Sequence, residues 1–131
     1  MTSSYQSYCN YLQTRRWSGL FYRKLWLYHR LCRHLYGQVL DIGCGLGDML
    51  VFRSGTVGVD VNPETIAWCR SRGLDAHLMQ PDHLPFASAA FDGVLLDNVL
   101  EHLLDSTPLL MEIRRVLVPG GRLIVGIPGT C

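Results

Sequence analysis

The sequence predicts an α/β fold built on one parallel, doubly wound sheet, and three observations carry that prediction. From residue 38 onward, short apolar runs closed by turn residues alternate with stretches of helical period. The first run, Val39-Leu40-Asp41-Ile42, passes straight into three alternating glycines, Gly43, Gly45 and Gly47. A second run, Val57-Gly58-Val59-Asp60-Val61, ends in a carboxylate nineteen residues after Asp41. Strands separated by helices imply βαβ units, whose right-handed crossovers place helices on both faces of a sheet.

Taken in chain order, residues 1–13 are polar with scattered tyrosines and read as a loosely docked start. From Thr14 to about Tyr36, Trp17, Leu20, Phe21, Tyr28, Leu31 and Leu35 recur at helical spacing, with Arg16, Arg23 and Arg30 on another side. That pattern predicts an amphipathic helix, whole or in two pieces, stopping at Gly37. Strands follow at Gln38–Ile42, Thr56–Val61, Ala76–Met79, Gly93–Asp97 and Arg122–Ile127. The intervening helices are a short one at Asp48–Arg53, one at Pro63–Arg72, and one or two between Asn98 and Leu117.

The 131 residues are enough for one domain with one core. With 48% hydrophobic and 18% charged residues, the composition is that of an ordinary globular chain and excludes a disordered one. The net charge of +1 hides an asymmetry. Residues 1–40 hold Arg15, Arg16, Arg23, Lys24, Arg30 and Arg33 with no acid, so they stand at +6, and the remainder stands at −5. The five cysteines, Cys9, Cys32, Cys44, Cys69 and Cys131, form no C-x-x-C pair and no metal spacing with histidine. A disulfide framework and a metal site are therefore not expected, and a reducing, cytoplasmic setting is. The Met1 end lacks a basic start followed by an apolar run, and no apolar stretch approaches the ~18 residues of a membrane span.

Alternating glycines after a buried strand allow positive φ and let a ligand approach the backbone. In a doubly wound sheet that loop lies at the carboxyl end of the first strand, where ligands bind. The spacing departs from the dinucleotide fingerprint G-x-G-x-x-G, because Asp48 would face a pyrophosphate at the following helix start. Asp60, at the tip of the second strand, can accept from both ribose hydroxyls of an adenosine, or can cap the helix beginning at Pro63. Asn62 can serve as that cap equally well.

With these residues in place, the chain resembles class I S-adenosylmethionine (SAM) dependent methyltransferases, the group that methylates small molecules, quinones and sugars. Val39–Gly47 looks like the family's glycine-rich motif, and Val57–Val61 like its ribose-binding strand. Leu84-Pro85-Phe86 with Phe91-Asp92-Gly93-Val94, Val99-Leu100-Glu101-His102-Leu103, and Val118-Pro119-Gly120-Gly121-Arg122-Leu123 resemble its later motifs, in the same order. The resemblance covers residues 38–128 and implies a Rossmann-like sheet of strand order 3-2-1-4-5 with SAM as cofactor. Residues 38–131 are then the SAM-binding core, and residues 1–37 an aromatic, basic lid or cap. The family sheet has seven strands. The core is therefore expected to be truncated at its C-terminus, or to pair its exposed fifth strand with a second copy.

Carried onto this chain, the resemblance implies that the methionine end of SAM lies against Asp41, Gly43, Cys44 and Gly45. Asp60 would take the ribose, and Val61 would pack on the adenine. Gln80 stands where relatives place an Asp toward the adenine amino group, with Pro81 and Asp82 in the same loop. Methyl transfer needs no nucleophilic triad, because the sulfonium already carries a good leaving group. His102 is the candidate base, or else a residue that holds the pocket, and Asn98 contacts SAM or substrate or caps a helix. Nine of the thirteen aromatics lie in residues 1–37 beside the basic residues. That combination suits an acidic or lipid-linked acceptor and peripheral membrane contact, or else a helix packed on the sheet with a solvated basic side. No recognition motif accompanies the arginines, which argues against nucleic acid. The competing functional reading is a SAM-binding module without catalytic activity.

Overall fold

The computed structural model of the chain describes residues 20–97 and 104–126. Helix α1 (Leu20–Cys32) leads into β1 (Val39–Ile42), α2 (Asp48–Phe52), β2 (Val57–Asp60) and α3 (Pro63–Ser71). Strands β3 (Ala76–Leu78) and β4 (Phe91–Asp97), helix α4 (Thr107–Val116) and strand β5 (Leu117–Gly126) complete the order. The five strands form one sheet, β3-β2-β1-β4-β5, and every neighbouring pair is parallel. The predicted fold class and strand order are both observed.

The side chains explain the layers. Every residue of β1 and β2 is buried, as expected for parallel strands covered on both faces. Alternate residues then divide between two sides. Leu40, Ile42, Val57, Val59, Val94 and Leu96 pack with Leu109, Ile113 and Val116 of α4. On the other side, Leu95 meets Tyr28 of α1 and Met49 of α2, while Ala76 lies with Leu50, Ile66 and Cys69. Glycine in β2 is required by close approach: a Cβ on Gly58 would sit 2.8 Å from both Cβ and Sγ of Cys44.

Helix α3 begins on Asn62, whose side chain accepts from Glu64 N at 2.9 Å, with Pro63 in the first turn where its missing N–H costs nothing. It ends on Gly73 in the left-handed region, φ +75°.

Several boundaries differ from the expectation, two of them by four residues or more. The first helix stops at Cys32 rather than near Tyr36, because the chain turns at residues 33–34 and seats Leu35 against the bare backbone of Gly93. Strand β5 starts at Leu117 rather than Arg122, because Leu117 already pairs with Phe91. The Pro119-Gly120-Gly121 turn, with Gly120 at φ +81°, is then absorbed as a register shift before Gly93 pairs with Arg122. The expected helical segment before Leu20, and the part of the fourth helical region at residues 98–103, lie outside the described residues.

Candidate functional site

The parallel register brings the predicted site residues to one end of the sheet. Ile42 pairs with Val59 on one side and with Leu96 on the other, so the ends of β1, β2 and β4 are level. Asp60 pairs with Leu78, which puts Gln80 just beyond the same edge. Gly43, Cys44, Gly45, Asp60, Val61, Gln80, Pro81 and Asp82 therefore share the carboxyl end of β1–β3, the place where doubly wound sheets hold ligands. Asn98 and His102 lie outside the described residues.

The glycine loop is shaped by backbone conformations that only glycine adopts cheaply. Gly43, Gly45 and Gly47 have φ of +78°, +54° and +83°. Gly43 N and Cys44 N both donate to Val59 O, at 2.8 and 3.0 Å, so the loop is tied to β2 before α2 begins. At the other end, Cys69 Sγ donates to Gly45 O at 3.3 Å. The Cys44 side chain turns away from the loop into the packing around Leu50 and Ile66. A hydrogen bond with Cys69, and burial, push its thiol up, so Cys44 offers a ligand its backbone rather than a thiolate.

Asp60 is the electrostatic centre of this end. Its Oδ2 accepts from Gly45 N at 3.0 Å and its Oδ1 from Asn62 N at 3.0 Å, while the residue as a whole is only 9% exposed. The helix cap is Asn62, so of the two readings of Asp60 the capping one is set aside. Burial pushes the Asp60 carboxyl above its ordinary value, and backbone N–H groups of Asn62, Gly45 and Val61 pull against that shift. Two strong backbone bonds still leave acceptor capacity on both oxygens. A desolvated carboxylate with spare acceptor sites, beside a half-exposed Val61 (48%), suits a ligand that brings two adjacent hydroxyls and an apolar ring.

The loop from Gln80 to Ala90 carries no helix, and its hold on the fold was not visible in the sequence. Glu112 of α4 accepts from Leu84 N at 2.9 Å. Arg115 binds Glu112 Oε2 at 2.7 Å and also donates to the carbonyls of Phe86 (2.8 Å) and Leu84 (3.1 Å). The Arg115 guanidinium, followed by Leu84 N–H, draws the Glu112 carboxyl down to about 2. A Glu and an Arg three apart on a helix surface ordinarily form a solvated pair. Only tertiary placement turns them into a clamp on the loop that carries Gln80, Pro81 and Asp82.

A cavity of about 480 Å³ between α4 and β5, lined by Leu110, Ile113, Leu117, Pro119 and Leu123, lies at the opposite end of the sheet, where β5 starts. It is remote from the glycine loop and takes no part in this site.

Residues 40–125 match the family model described as "Methyltransferase domain", so the chain belongs to that family. The chain is 34% identical over 100 residues to a demethylmenaquinone methyltransferase of Thermus thermophilus, covering 67% of this chain and 46% of that protein. It is 35% identical over 92 residues to a human protein named "Probable tRNA methyltransferase 9B", covering 66% and 20%. Among solved structures, a SAM-dependent methyltransferase of Thermotoga maritima superposes with a TM-score of 0.68 at 28% identity, covering 81% of this chain and 56% of that one. The chain spans between a fifth and a half of the length of the relatives it matches. The cofactor of this family is SAM, and the chain's own residues fit it: the partly desolvated Asp60 carboxylate, the positive-φ loop and the exposed Val61 stand side by side.

Proposed function

We propose that this chain binds SAM at the carboxyl end of β1–β3 and directs its methyl group to a small-molecule, sugar or lipid-linked acceptor. The observation that carries the reading is Asp60 hydrogen-bonded to Gly45, which joins the acid-tipped strand to the glycine loop in one rigid cradle. Asp60 accepts from the ribose hydroxyls, Val61 supports the adenine, and Gln80, Pro81 and Asp82 border its edge. Asp41 and the backbone of Gly43, Cys44 and Gly45 take the methionine end. When bound, SAM supplies a methyl group on a positively charged sulfur that leaves as a neutral thioether. The protein then has only to position the acceptor in line and exclude water.

Asn98 follows directly on Asp97 at the end of β4, and on sequence position it is assigned to the cofactor or acceptor. His102 is assigned as the base, since an imidazole titrates near neutrality and can accept a hydroxyl proton. Residues 38–131 serve as the cofactor core and residues 1–37 as its cap in this reading, although Tyr28 of α1 packs with Met49 and Leu95 on the sheet rather than over the glycine loop. Self-association through β5 belongs to the same reading, supported by the partly exposed Leu123 and Val125 on that strand.

The acceptor class is tested by incubating the chain and methyl-tritiated SAM with a protein-free small-molecule extract, and separately with purified RNA. Label is expected in the organic-soluble or low-mass fraction. Label confined to the RNA would overturn the acceptor assigned here.

A further inference from the structure

The outward face of α1 is unused by the site described above. Tyr28, Leu31 and Leu35 turn inward, while Trp26 and Arg30, one turn apart, Leu27 at the flank of the helix, and Arg33 in the turn that follows it are exposed. Trp26 is 63% exposed and Leu27 41% exposed. The Arg30 guanidinium lies over the Trp26 ring at 4.9 Å. Next to the helix end, Arg122 of β5 lies over Tyr36 (51% exposed) at 5.6 Å and donates to His34 O at 3.4 Å.

From these juxtapositions we infer that this face is a docking surface for an anionic lipid bilayer, with Trp26 and Leu27 entering the headgroup boundary and Arg30, Arg33 and Arg122 facing lipid phosphates. Charge complementarity supports that occupant: the first forty residues hold six cations and no acid, and the first acid, Asp41, is buried on β1. A helix with tryptophan and leucine beside arginines matches the chemistry of the membrane interface, where an amphipathic ring and a guanidinium both find partners. Nucleic acid would satisfy the arginines and leave Leu27 in water. No described helix is long and apolar enough to cross a membrane, and the inferred mode is attachment to the surface. The surface is separate from the cofactor cradle. Bilayer binding by a chain that ignored SAM would refute the methyl-transfer reading alone, while SAM binding without bilayer binding would refute this one alone.

The test is flotation of the full chain with vesicles of phosphatidylcholine alone and of phosphatidylcholine mixed with phosphatidylglycerol, at low and high salt. Binding to the anionic vesicles is expected to be at least about tenfold tighter than to the neutral ones, since each basic residue near the surface contributes several-fold. It should weaken as salt rises, and the tryptophan emission should move to the blue. Trp26→Ser combined with Leu27→Ser should abolish flotation while circular dichroism stays unchanged. Arg122→Gln, on a different element, should weaken it several-fold and serves as the check if the double variant misfolds. Equal binding to both vesicle types, or none, would overturn the inference. So would anionic binding that survives the double substitution and is displaced by RNA, which would mark a general polyanion patch.

Discussion

Replacing Asp60 with alanine is expected to weaken SAM binding at least about a hundredfold. Two hydrogen bonds to a charged group are lost, each worth about 1.5–3 kcal/mol, and every 1.4 kcal/mol is a factor of ten. The capping bond itself is made by Asn62 to Glu64 N, so the helix start loses only the support of Asn62 N by Asp60 Oδ1. Asp60→Asn sharpens the test. One side-chain oxygen becomes a donor that meets a backbone N–H, of Gly45 or of Asn62, so affinity should fall without any loss of side-chain volume. The pH dependence has a definite sign. Burial raises the carboxyl in the folded chain, so its contribution to folding is fully present below the unfolded value and is lost as pH rises through the folded one. Ligand binding needs the ionised form and runs the other way: SAM affinity should fall as acid is added, starting above the ordinary carboxylate range. A flat pH profile in the parent, or an Asp60→Asn chain that binds as tightly, would remove the ribose role.

The second large effect is expected at Gly58, which touches no ligand. A methyl group there would lie 2.8 Å from Cβ and Sγ of Cys44 and 2.9 Å from Leu50 Cδ2. Cys44 Cβ is one bond from the glycine-loop backbone, and Cys44 N is held to Val59 O at 3.0 Å, so the clash cannot be relieved by a side-chain rotation. Overpacking of this kind costs about 1–3 kcal/mol. Gly58→Ala should therefore lower Tm by several degrees and, by displacing the loop from Asp60, weaken SAM binding as well. Adding Cys44→Ala removes the Sγ contact and should restore part of both losses. A Gly58→Ala chain with parental Tm and affinity would show that β2 does not brace the loop.

The parallel sheet and the loop were legible because their signals are local, whereas the strand order came from the family resemblance. Three glycines at alternate positions after a buried run also suit a plain tight strand-to-helix turn, and it was the acid-tipped second strand beside them that pointed to a ligand; all three take positive φ. An acid at the end of a four-residue apolar strand points to the same edge as that loop whenever the strands are parallel. The choice between Asp60 and Asn62 as cap was open in the sequence, since both residue types cap well. It was resolved only by which oxygen reaches Glu64 N. What stayed hidden depends on tertiary neighbours. The Pro119-Gly120-Gly121 turn reads as the entry to the fifth strand, yet Leu117 before it is already in the sheet, because β4 begins at Phe91 rather than Gly93. The Glu112–Arg115 clamp and the Cys69–Gly45 contact join residues 24 or more apart and leave no periodic trace.

The central claim, that this cradle is built for SAM, is tested most directly by titration calorimetry and thermal unfolding with SAM and NAD side by side. SAM is expected to bind with Kd on the order of micromolar and, at a hundredfold excess over Kd, to stabilise the fold by about 2.7 kcal/mol through mass action. NAD should do neither, because its pyrophosphate would meet Asp48 in the first turn of α2. A chain stabilised by NAD and indifferent to SAM would contradict the account.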